Sequence, residues 1–227
     1  MIDSPSQTLS VITVGIISGA LLSVLGALVV GRLGLWRQTG LIGRPARPVS
    51  LLWFLPFVVY GLLPLTQGAD MTAELAAGAA VFGFLIAFWK LVVLGLLIYA
   101  WLPSGERSAA ALAATFWATM HLGGIFTGGI VVPTLLLCLS YIFLAFAFGA
   151  VRLRTGLFWP LIVSYALLLA GAVAVQDGEA SNLVPSVAAI VPAVVISALL
   201  ASFGLLALPR HKQPVEQRPH HDVGADV

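Results

Sequence analysis

The chain reads as an all-α polytopic membrane protein, and three observations predict that class. Apolar residues make up 60 % of its 227 residues. Charged residues make up 9 %, where a soluble domain carries about a quarter. The apolar residues come in runs of the length a helix needs to cross a bilayer, about 20 residues, and the mean hydropathy of +1.05 agrees. The lipid bilayer is the partner this composition demands. The small net charge of +2 gives no basis for a nucleic-acid partner.

The first run is 9–31, LSVITVGIISGALLSVLGALVVG. Its flank, MIDSPSQT, holds Asp3 and no Lys or Arg, and the run is longer than a secretory h-region, so it reads as a retained helix. The second run, 49–66, is entered by Trp53 and holds Pro56 and Pro64. The third, 73–102, is long enough for one tilted or kinked helix or for two shorter ones. Runs 108–127, 130–151, 156–175 and 183–208 follow. Residues 1–208 thus form a single transmembrane domain, and the polar, Pro-rich 209–227 reads as a disordered tail.

Basic residues set the orientation. Arg32, Arg37, Arg44 and Arg47 follow the first run, Arg107 the third, and Arg152 and Arg154 the fifth; Arg210, Lys212 and Arg218 lie in the tail. The alternate connections carry acids instead, Asp70 and Glu74, then Asp177 and Glu179. This predicts about seven spans with the N-terminus outside and the tail cytoplasmic, in the cell (cytoplasmic or inner) membrane. Trp36, Trp53, Trp101 and Trp159 fall near the cytoplasmic ends, as an aromatic belt requires.

Small residues recur every four positions at Gly15, Gly19, Ser23, Ala27 and Gly31, at Ala79, Gly83 and Ala87, and at Ala189, Ala193, Ser197 and Ala201. This spacing lets helix backbones approach closely, within the bundle or in a homo-oligomer. Cys138 stands alone, which excludes an intramolecular disulfide. His211, His220 and His221 are too sparse for a metal site, and no metal or cofactor is expected.

Ionisable residues inside a span are functional candidates by default. Lys90 and His121 qualify. Lys90 stands 12 residues before Leu102 and His121 stands 14 after Arg107. At 1.5 Å per residue both lie roughly 20 Å from the loop between them, so they can face each other across a helical hairpin. Tyr60, Tyr141 and Tyr165 count to the same depth and, with Trp117, are candidates to line a cavity. The layer serves either packing or binding, and in the second case Lys90 is a hydrogen-bond donor or counter-ion for an anionic group. The glycines of HLGGIFTGGIVVP suggest a loosened helix end after His121.

Two stretches resemble a known family. FWATMHLGG (116–124) is similar to the motif ending in a histidine in the CPBP intramembrane endopeptidases, the group of CAAX prenyl proteases and bacteriocin-processing enzymes also called Abi. GAVRLRTGLFWPLIVSYA (149–166) resembles the segment in which that family passes through an Arg-Thr-Gly turn to Trp-Pro. The resemblance covers about 85–170 and places Trp117 at the family's aromatic and His121 at its first histidine. It also implies substitutions. Trp89 and Lys90 stand where a pair of glutamates belongs, Leu94 where an arginine belongs, Tyr165 at a second histidine and Leu169 at an Asn or Asp.

The chemistry of those substitutions points away from hydrolysis. Activating water for peptide cleavage needs a general base, usually with a metal or oxyanion donors, and a lone histidine is a poor zinc site. The expectation is a pseudoenzyme that binds a peptide, a lipid-modified chain or a membrane-protein partner. An active endopeptidase on prenylated or leader peptides and a small channel or transporter are the alternatives. The absence of an internal repeat weighs against transport.

Overall fold

The structure is a computed structural model that describes residues 4–43, 48–67, 72–122, 130–176 and 187–208. The predicted tail 209–227, the glycine-rich 123–129 and the acids Asp3, Asp70, Asp177 and Glu179 lie outside the described residues. Every regular element among those described is helical. We label them α1 (Ser4–Leu33), α2 (Leu55–Leu62, continued on both sides by 3-10 turns from Pro48 to Gln67), α3 (Ala73–Trp101), α4 (Glu106–Thr119), α5 (Val131–Thr155), α6 (Trp159–Gln176) and α7 (Val187–Ala207).

Five stretches are long and apolar enough to cross a membrane: Ile12–Leu33, Val49–Thr66, Ala73–Ser104, Val131–Thr155 and Ile190–Ala207. The run 73–102 is one uninterrupted helix. Thr72 caps its start, accepting the Leu75 N–H at 3.3 Å. The other two runs are shorter than their sequence suggests. α4 has 14 residues and passes into a 3-10 turn, Met120–Leu122. The sixth run begins its helix at Trp159, three residues later than its apolar composition indicates.

That delay has a local cause. Gly156 closes α5 in the left-handed region (φ 76°), its N–H donating to Arg152 O at 2.7 Å. A side chain is strained there, which explains why the turn falls at a glycine. Pro160 then occupies the first turn of α6, where a missing N–H costs no helical bond.

Close backbone approach holds the bundle together. α1 lies along α3, with Gly19 against Leu85 and Ile86 and the Ser23 hydroxyl donating to Leu85 O at 3.1 Å. α3 lies along α6, where a Cβ on Gly83 would stand 2.5 Å from Ala166 O. Gly61 brings α2 against the backbone of Ser164 in α6, and Gly204 brings α7 to Ala147 in α5. Small-residue stripes are thus used inside the chain, where packing rather than the hydrophobic effect drives helix association. The other face of α1 exposes Val14, Leu21, Val24 and Leu28, as contact with lipid requires.

The segment 34–43 does not behave as a free loop. Thr39 and Leu41 are buried, and Leu35 and Trp36 pack on the core. Gly40 O accepts the Phe158 N–H at 2.9 Å, and Leu41 O accepts the Trp159 indole N–H at 2.5 Å. Trp159 therefore does not turn its polar edge to a headgroup layer as a belt residue does. Its ring stacks in a row with Phe88 and Phe84.

Candidate functional site

The centre of the bundle is where α3, α4, α5 and α6 meet. Its fully buried members include Leu91, Leu94, Trp117, Leu144, Phe148 and Tyr165. Lys90 lies 17 residues from the start of α3 and 11 from its end, which places it about 25 and about 16 Å from the two ends of the helix.

Lys90 Nζ lies 3.0 Å from His121 Nε2. The hairpin of α3 and α4 thus brings together the two ionisable residues that the residue counts placed at one depth. The His121 Nδ1 side turns back toward the carbonyls of Trp117 and Ala118 without a well-formed hydrogen bond. An ammonium at Lys90 takes the Nε2 lone pair as its acceptor, which sets the proton of a neutral imidazole on Nδ1.

Three aromatic rings surround that ammonium. Nζ stands 5.6 Å from the Trp117 ring centroid, 5.7 Å from Tyr141 and 6.0 Å from Tyr165. Tyr141 also stacks on the His121 ring, with centroids 3.9 Å apart and planes 28° apart. Trp117 is anchored in turn, its indole N–H donating to Lys90 O at 3.1 Å. The box therefore holds the lysine and is held by the lysine's own helix.

Magnitudes show why a cation is tolerated here. A lysine at a helix centre in a membrane costs about 3 kcal/mol on insertion scales. A hydrogen bond to a charged group returns about 1.5–3 kcal/mol and each well-placed ring about 0.5–2. The two sides are of the same size. The charge itself is left without an acid. Among the described residues the carboxylates are Glu74 and Glu106, in the exposed first turns of α3 and α4.

Lys90, His121 and Tyr141 keep part of their surface accessible, while Trp117 and Tyr165 are fully buried. The site has an open side and a closed floor. The Tyr165 hydroxyl has no hydrogen-bond partner among the described residues. Trp89 Nε1 is likewise without one.

The remaining sequence candidates fall around this centre. Tyr60 interacts electrostatically with Tyr141 and Tyr165 and gives its hydroxyl to a hydrogen bond with Ser197. Leu94 is buried one turn below Lys90, and Leu169 packs at the edge of the core. Sequence reasoning missed Ser140, whose hydroxyl lies 2.9 Å from that of Ser197. Its partner was visible in the small-residue stripe of α7, but nothing marked Ser140 itself. Among the described residues no three His, Cys, Asp or Glu side chains come together as metal ligands.

Neither the models of known protein families, nor the curated proteins, nor the solved structures compared with it match this chain.

Proposed function

We propose that this chain is a non-hydrolytic, CPBP-like scaffold in a cell membrane that holds a peptide, a lipid-modified chain or a membrane-protein partner at the Lys90–His121 site. One observation carries the reading. Lys90, His121 and Tyr165, the positions that the sequence resemblance sets on a glutamate and two histidines, gather around a single ammonium group. Residues 75 positions apart in sequence meet here, which supports the alignment through two short motifs. The same convergence supports loss of hydrolysis. A lysine ammonium in place of an acid supplies a positive charge and donors, not a base for water.

The topology belongs to this proposal. The chain crosses the membrane about seven times, counting the shorter α4 and α6, with its N-terminus outside and its tail cytoplasmic. The basic residues of α1's last turn and of α5's last turn support that orientation.

Metal analysis of the detergent-purified protein, wild type beside His121→Ala, tests the non-hydrolytic reading. Zinc below one-tenth of an equivalent in both is the expected result. Stoichiometric zinc that disappears in the variant overturns it.

A further inference from the structure

We propose that the Lys90 site binds a carboxylate carried on an acyl chain, the ligand supplying the acid that the described bundle lacks; this rests on the binding-scaffold reading and names its ligand class. Three independent features of the site point the same way. The first is charge: Lys90 presents an ammonium at mid-helix, and its neighbours His121, Trp117, Tyr141 and Tyr165 offer no negative group. His121 accepts one of its three N–H bonds, which leaves donors for a ligand.

The second feature is the Tyr165 hydroxyl. It is buried to 1 % exposure, belongs to a ring 6.0 Å from Nζ and finds no partner among the described residues. An orphaned hydroxyl in a low-dielectric interior is costly, so a donor of this kind on a ring that flanks a cation marks a place where an acceptor fits. A carboxylate has two oxygens, one for Nζ and one for the hydroxyl. A phosphate monoester brings more charge than one ammonium balances.

The third feature is access. The outward edge of α4 exposes Leu112, Phe116 and Met120, four residues apart and ending beside His121. An apolar ridge along α4 thus ends at the residue before His121. That path suits a chain already dissolved in the bilayer, with its polar end at Lys90 and its methylenes on the ridge. An acidic side chain on a partner helix supplies the same carboxylate but needs a second helix seated against α4.

The test uses native mass spectrometry of the full-length protein in detergent, titrated with oleate or with methyl oleate. One saturable oleate per chain is expected, with methyl oleate held at least tenfold more weakly. Lys90→Met is expected to weaken oleate at least tenfold, Tyr165→Phe several-fold, and Lys90→Arg to retain it. Tyr165→Phe removes one oxygen atom, so it keeps the test informative should Lys90→Met fail to fold.

Equal retention of oleate and methyl oleate overturns the proposal, as does oleate binding unchanged in Lys90→Met. A single-span peptide bearing Glu at its centre, bound in preference both to oleate and to its Gln counterpart, overturns the acyl assignment. If a farnesylated peptide is retained through Lys90 and His121 while oleate is not, the carboxylate inference fails and the scaffold reading stands. If neither probe is retained, both fail.

Discussion

Two clusters of buried polar groups in the molecule are treated in opposite ways. On the α5–α7 seam, Ser140 and Ser197 lie 2.9 Å apart, Ser140 reaches on to Ala193 O at 3.4 Å, and Tyr60 joins Ser197 from α2. These groups are neutral and partner one another. In the α3–α4–α5–α6 centre a cation sits among rings, one of which bears a hydroxyl with no partner among the described residues. The first cluster is complete without a ligand and holds helices together. The second is ordered but unbalanced. Polar residues at membrane depth are thus distinguished by their accounts of charge and hydrogen bonds more than by their number.

Breaking the frame of the unbalanced site has the largest expected effect. Trp117 is fully buried and bonds Lys90 O, so Trp117→Ala leaves a cavity and removes the side-chain bond that ties α4 to the backbone of α3. A loss of about 3–5 kcal/mol is expected, read as a lowered midpoint in thermal unfolding in detergent. A loss below about 1 kcal/mol contradicts the packing described.

The contrast between the two clusters predicts opposite signs for smaller changes. Lys90→Met removes a charge that has no acidic partner among the described residues and keeps the chain's bulk. Stability is expected to stay level or rise by about 1–2 kcal/mol, as when buried charges give way to apolar residues. Ser197→Ala breaks a satisfied contact and is expected to cost about 0.6 kcal/mol. The same unfolding experiment reads both. If Lys90→Met destabilises more than Ser197→Ala, Lys90 is a structural strut and the comparison collapses.

Much of the site was legible because depth in a membrane can be counted. Lys90 and His121 flank one short connection, so residue number converts directly to height, and height was enough to pair them. Tyr165 counted to the same depth, and the Arg-Thr-Gly and Trp-Pro pattern of its helix set it on a second family position. The small-residue stripes were legible as close approaches, though not which helices they join, since lipid-facing and buried stripes share one composition. Other features carried no pattern. Residues 34–43 mix Gly, Trp, Arg and Thr without a period, yet Thr39 and Leu41 are buried through backbone bonds to the α5–α6 turn. The end of α4 at Thr119 was hidden because hydropathy continues past it; apolar composition marks what can enter a membrane, not where a helix stops.

The central claim is that this site holds a partner and does not cut it. A farnesylated C-terminal peptide, incubated with the full-length protein in nanodiscs, reads both properties in one sample when retention and product are measured together. The account predicts saturable retention, weakened at least tenfold by replacing Lys90 and His121 together, with the peptide recovered intact. Product that accumulates with wild type and disappears in His121→Ala contradicts it.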